Sequence, residues 1–207
     1  MLQNIERYYS EKVAAFGSAP RGADWKSAES QTMRFDQLLR LIQPDGAFTI
    51  NDYGCGYGAL VNYLENLGHR FTYRGFDISE NMITEARKAH GQKPQCEFFH
   101  KKFSLSPADY TVASGIFNVK LETPESEWLE YIQTTLNDFR QLSRKGFAFN
   151  ALTSYSDKEF MRSHLYYANP LYFFDYCKKN FSRMVSLAHD YPLYEFTICV
   201  RIPEGAD

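Results

Sequence analysis

The stretch Asn51-Asp52-Tyr53-Gly54-Cys55-Gly56-Tyr57-Gly58-Ala59 sets three glycines and a carboxylate between a mostly apolar run and an amphipathic one. Glycine lets the chain turn tightly and lets a ligand approach the main chain, and a helix beginning there offers unpaired N–H groups. Gly54, Gly56 and Ala59 also satisfy the G-x-G-x-x-G/A spacing of a nucleotide-binding turn. Asp77 closes the next apolar run, FTYRGFD, about 20 residues further on, where a carboxylate accepts hydrogen bonds from ribose hydroxyls. Asp52 narrows the choice of nucleoside. It stands two residues before Gly54, where it would repel a pyrophosphate and attract an ammonium or sulfonium.

These residues need a strand–loop–helix frame, and the sequence supplies one. FTINDYG reads as a first parallel strand, ALVNYLENLGHR as a helix ending at Gly68, and FTYRGFD as a second strand. Ser79 is placed to cap a helix whose inner face holds Met82, Ile83 and Ala86 and which Gly91 and Pro94 end. CEFFH, DYTVASG and GFAFN are further strands, and a long helix is expected from about Glu125 to Leu142. SRMVSLAH and YEFTICVRI are joined by the short DYPLY, so they should pair antiparallel, since a parallel return needs a longer crossover. Residues 1–43 form a leading helical segment broken at SAPRGAD, with Met33, Phe35, Leu38, Leu39 and Ile42 on one face of its second part. A single domain is expected over residues 1–207, with residues 151–175 as a substrate-side cap.

Asp52-Tyr53-Gly54-Cys55-Gly56-Tyr57-Gly58, followed by Gly75-Phe76-Asp77-Ile78-Ser79 with Met82 and Ala86, resembles the first two motifs of the class I S-adenosylmethionine-dependent methyltransferases. The resemblance implies an α/β, Rossmann-like, seven-stranded, mostly parallel sheet with helices on both faces and an antiparallel last strand. It implies S-adenosyl-L-methionine as cofactor, with Asp52, Tyr53, Gly54, Cys55, Gly56 and Gly58 around the methionine moiety, Asp77 on the ribose, and Ile78 and Met82 beside the adenine. It also places Ser114 and Gly115, at the edge of the fourth strand, toward the methyl group. Many relatives carry an acidic residue after the third strand that meets the adenine amino group; this chain has Lys101, Lys102 and Phe103 there.

Methyl transfer is an in-line displacement, so alignment and exclusion of water matter most. Asn118 is a candidate for orienting the acceptor, and His164, ahead of His189, is the candidate base. Arg34 and Trp25 could close over the cofactor carboxylate, and Tyr8, Tyr9, Tyr155, Tyr166, Tyr167, Tyr172 and Phe173 could converge on a flat acceptor. Asn169-Pro170-Leu171-Tyr172 resembles an amino-methylating signature, but its position suits a turn and helix start. Two other classes share the motifs: a nicotinamide-dependent oxidoreductase, and a nucleoside-binding protein without catalysis.

Composition sets the outer bounds. A formal charge of −2 argues against nucleic acid and for a small-molecule substrate. Cys55, Cys96, Cys177 and Cys199 lack C-x-x-C spacing, and the five histidines lack metal-ligand spacing, so reduced thiols and no metal are expected. MLQNIERYYSEK is too polar for a signal peptide and no long apolar run occurs, so a cytoplasmic protein without a membrane span is expected. A homodimer is compatible with the sequence. Fifteen Tyr and 17 Phe raise the aromatic share to 16%, which an aromatic-lined pocket would explain.

Overall fold

Strands β1 (Phe48–Tyr53), β2 (Phe71–Phe76), β3 (Cys96–Phe99), β4 (Ala108–Ala113), β5 (Ser143–Leu152), β6 (Val185–Ala188) and β7 (Glu195–Arg201) form one sheet in the order β3-β2-β1-β4-β5-β7-β6. The structure is a computed structural model and describes residues 1–17, 27–43 and 46–203. Neighbours from β3 to β5 are parallel, while β7 runs antiparallel to both β5 and β6. The antiparallel pairing expected from the short DYPLY link is therefore present, with Val185 opposite Val200 and Ala188 opposite Thr197.

Helices α1 (Leu2–Phe16), α2 (Ala28–Leu39), α3 (Ala59–Asn66), α4 (Glu80–His90), α5 (Glu125–Leu142) and α6 (Pro170–Asn180) complete the fold. The break at SAPRGAD lies outside the described residues. Ser79 caps α4 through the Met82 amide, and Asn169 caps α6 through the Leu171 and Tyr172 amides, with Pro170 at the first helical position. Gly68 follows α3 with φ of 73°, the left-handed geometry in which its amide bonds back to the Glu65 carbonyl.

Alternation along the strands divides the core between the two faces of the sheet. Phe147 and Phe149 of β5 and Phe196, Ile198 and Val200 of β7 pack with Trp128, Ile132, Leu136 and Phe139 of α5. Ala148 and Cys199, from the same two strands, join Ile50, Tyr73 and Val112 against α2, α3 and α4. Much of the aromatic excess is spent here, since Trp128, Phe117, Phe139, Phe147, Phe149, Phe173 and Phe196 are all fully buried. The Trp128 indole also donates to the Phe117 carbonyl at 2.9 Å.

One crossover is unusually lean. β3 joins β4 through residues 100–107, which contain only a 3-10 turn at Lys102–Ser104, where a parallel return commonly spends a helix. Leu105 is buried in the α5-side core, and Lys102 pairs with Asp138 of α5 at 2.7 Å. Those contacts pin the link directly against α5.

Candidate cofactor site

A cavity open at its mouth lies at the carboxyl ends of β1, β2 and β4, where open α/β sheets bind ligands. Six separate regions of the chain meet in it. The loop after β1 contributes Gly54, Cys55, Gly56 and Tyr57, and the end of β2 with the start of α4 contributes Asp77, Ile78 and Met82. Ser114, Gly115 and Ile116 come from the end of β4, Tyr131 from α5, Ile5 and Tyr9 from α1, and Gln31 and Phe35 from α2.

The glycine loop takes this shape for local reasons. Gly54, Gly56 and Gly58 have φ of 83°, 54° and 83°, where side chains are strained. A Cβ on Gly54 would come within 2.2 Å of Ile116 Cγ2, so the loop and the end of β4 approach each other only because Gly54 is bare. Main-chain bonds from the Gly54 and Cys55 amides to the Phe76 carbonyl, at 2.7 and 2.9 Å, tie the loop to β2.

Both carboxylates are buried in this site. Asp77 accepts from the Gly56 amide at 2.9 Å and the Ser79 amide at 2.8 Å. Asp52 accepts from the Tyr73 hydroxyl at 2.7 Å. Burial is the main influence on each: it pushes Asp52 up to about 7, against the Tyr73 hydrogen bond and aided by the charge of Asp77. Burial likewise lifts Asp77 to about 6, against the two amide hydrogen bonds and the nearby His100. Among the described residues neither carboxylate makes an ion pair, so the site holds two desolvated acids ready for a cationic, hydroxyl-bearing ligand. Burial pushes the Cys55 thiol up as well, which leaves it neutral and unreactive. All four cysteines are free and buried.

The structure brings together Asp52, Tyr53, Gly54, Cys55, Gly56, Asp77, Ile78, Met82, Ser114 and Gly115. Gly58 does not border the cavity. It sits at the N-cap of α3, where a Cβ would meet His90 at 2.9 Å and Phe98 at 3.3 Å, so its bareness serves the packing of α3 on α4 and β3.

Asn118 and His164 also lie outside the cavity lining. The Asn118 side chain accepts from the Leu152 amide at 3.0 Å and its carbonyl accepts from the Tyr166 amide, bracing the end of β4 against the end of β5. The His164 carbonyl accepts from the Lys120 and Leu121 amides, and the His189 ring packs near Tyr155 and Phe196. Arg34 does not close over the cavity: its guanidinium grips Glu195 through two hydrogen bonds of 2.8 and 2.6 Å and also donates to the Ser30 carbonyl. Trp25 lies outside the described residues. Of the seven aromatics expected to converge, only Tyr9 lines the cavity; Phe173 is core, and Tyr155 and Tyr172 are exposed.

Sequence reasoning missed Gln31, Phe35, Tyr57 and Tyr131 as cavity residues. In the sequence Phe35 reads as part of the apolar face of α2, and Tyr57 as a spacer inside the motif. Tyr131, beside the buried Trp128 and Ile132, carried no signal beyond helical periodicity. Among the described residues no cluster of His, Cys, Asp and Glu could hold a metal ion, and no helix is long and apolar enough to cross a membrane.

Strand order, the glycine loop after β1 and the buried carboxylate at the end of β2 together define a Rossmann-like site. A family model described as a methyltransferase domain matches residues 50–146. A Mycobacterium tuberculosis (strain ATCC 25618 / H37Rv) protein named "Putative methyltransferase Rv1506c" is 47% identical over 163 residues, spanning 79% of this chain and 98% of that protein. Among solved structures, the DhpI–SAM–HEP complex aligns with a TM-score of 0.64 at 15% identity, over 96% of this chain and 97% of that one. Magnesium protoporphyrin IX methyltransferase (ChlM) from Synechocystis PCC 6803 with bound SAH aligns with a TM-score of 0.61 at 15% identity, over 84% of this chain and 83% of that one. The chain belongs to the class I S-adenosylmethionine-dependent methyltransferase family.

Proposed function

We propose that this protein transfers the methyl group of S-adenosylmethionine to a small organic acceptor. The observation that carries the reading is the pair of buried, unpaired carboxylates, Asp52 and Asp77, within one cavity edged by the glycine loop. Asp77 retains lone pairs for the ribose hydroxyls, and Asp52 favours a cation and disfavours a pyrophosphate, which argues against a nicotinamide dinucleotide. The cofactor supplies an electrophilic methyl group on a sulfonium. The chain's own residues bind it, orient it and exclude water.

The ionisable side chains that border the cavity are Asp52, Asp77, Cys55 and the tyrosines Tyr9, Tyr53, Tyr57 and Tyr131. Among the described residues no histidine or lysine joins them, so alignment and desolvation carry this mechanism rather than a dedicated base. In this reading Asn118 and His164 shape the acceptor side by bracing the β4–α5 connection. A second cleft is built from the same elements: Asn4 and Arg7 of α1, Leu121–Thr123 after β4, and Glu127 one turn before Tyr131 on α5. We assign it to the acceptor's approach, with residues 151–175 as the neighbouring cap.

Calorimetric titration of wild type and Asp77→Ala with S-adenosylmethionine, S-adenosylhomocysteine and reduced nicotinamide dinucleotides tests the cofactor. Binding of the two sulfur nucleosides, weakened by the substitution, is expected. Binding of dinucleotides alone would overturn the proposal.

A further inference from the structure

Gln31 is buried on α2 and borders the cofactor cavity. The Tyr57 hydroxyl, from the glycine loop, donates to Gln31 Oε1 at 3.1 Å. An amide whose oxygen is engaged presents its two N–H groups elsewhere, and among the described residues Gln31 Nε2 has no hydrogen-bond partner. It is not among the buried polar atoms sealed off without one. Its two donors are therefore uncommitted among the described residues, on a side chain that borders the cavity beside the glycine loop.

Resting on the cofactor reading above, we propose that Gln31 holds the α-carboxylate of the cofactor's amino-acid end, with Tyr57 fixing the amide in orientation. Charge makes the assignment. Asp52 and Asp77 suit the sulfonium and the ribose, and a third carboxylate brought in by the ligand must lie away from both. The guanidinium that could have met it, Arg34, is one turn further along α2 and is committed to Glu195. A neutral amide fits this position well, because the amino-acid end is a zwitterion and a buried cation here would repel the sulfonium. Gln31 is thus a specificity-determining residue: it makes the site read the amino-acid tail as well as the nucleoside.

The test uses two ligands that share nucleoside and sulfur, S-adenosylhomocysteine and 5′-methylthioadenosine, of which the second lacks the amino-acid end. Full-length wild type, Gln31→Leu and Tyr57→Phe are titrated with each by calorimetry. Gln31→Leu should weaken S-adenosylhomocysteine by roughly 10- to 100-fold, the worth of a hydrogen bond to a charged group, and leave methylthioadenosine within about twofold. Tyr57→Phe should show the same selectivity with a smaller loss. Retained methylthioadenosine binding also reports that the variants are folded. Equal weakening of both ligands, or of neither, overturns the assignment while leaving the cofactor reading intact. Failure of wild type to bind S-adenosylhomocysteine overturns the cofactor reading and the assignment together.

Discussion

Asp52→Asn keeps an oxygen to accept from Tyr73 and removes the charge, so it isolates what the carboxylate does for a cationic ligand. In the ligand-free protein Asp52 titrates at about 7 and Asp77 at about 6. A sulfonium that binds the ionised forms must drive both protons off. From pH 7 to pH 6 this linkage weakens binding about fivefold through Asp52 and about twofold through Asp77, roughly tenfold together. The variant should keep only the Asp77 part, about twofold over the same interval. At pH 8 it should also bind S-adenosylmethionine on the order of 10- to 100-fold more weakly, with a smaller loss for the uncharged sulfur of S-adenosylhomocysteine. The assay is calorimetry at pH 6, 7 and 8 in two buffers of different ionisation enthalpy, which counts the released protons. Ligand titration is common to both proteins and cancels in their comparison. Equal pH slopes in wild type and Asp52→Asn would refute the argument.

Three other outcomes and a control follow from the same geometry. Both carboxylates titrate in the folded chain above the usual unfolded range; their stabilising contribution is full below about pH 4 and is lost as pH rises through 6 and 7. Ligand-free Asp52→Asn should therefore melt a few degrees above wild type at pH 8, with the gap closing toward pH 4 in a differential scanning fluorimetry series. Gly54→Ala combines a left-handed backbone with a contact of 2.2 Å to Ile116, and should reduce S-adenosylhomocysteine affinity by more than about tenfold in a binding titration. Arg34→Met strands a buried Glu195 and should cost about 3–5 kcal/mol in urea unfolding, most of it recovered in the Arg34→Met, Glu195→Leu double variant. Asn118→Ala should lose about 1–3 kcal/mol of stability at the Leu152 amide while binding S-adenosylhomocysteine normally; weakened binding at unchanged stability would place it in the cofactor site instead.

The sheet was legible because each strand carries its own local signature. The β5 run around GFAFN, the cap at Ser79 and the span of α5 were readable from apolar patterning and capping residues, and the short DYPLY link specified the antiparallel pairing. The cavity residues were legible where motif and main chain coincide, in the Asp52–Gly56 stretch and at Asp77, Ile78 and Met82. Long-range partners were not. Arg34 looks like a solvated or ligand-facing cation until Glu195, 161 residues away, is brought beside it. Asn118 looks chemical until the Leu152 amide takes its oxygen. Gly58 entered through the family resemblance, yet its neighbours are His90 and Phe98, which no local pattern could reveal. The seven aromatics failed to converge because burial in the core satisfies a ring as well as a ligand does.

The grip of Arg34 on Glu195 also bears on the order in which the protein is made. α2 is fastened to β7 three times: by that ion pair, by the Cys199 thiol against the Gln37 carbonyl at 3.8 Å, and by Arg201 on the Arg40 carbonyl at 2.9 Å. Gln31 and Phe35 ride on this helix, which is made before the glycine loop and also packs on β5 and α3, yet gains these three fastenings only once β7 exists. Nascent chains halted before β7 should carry the nucleoside motifs and still fail to retain the cofactor.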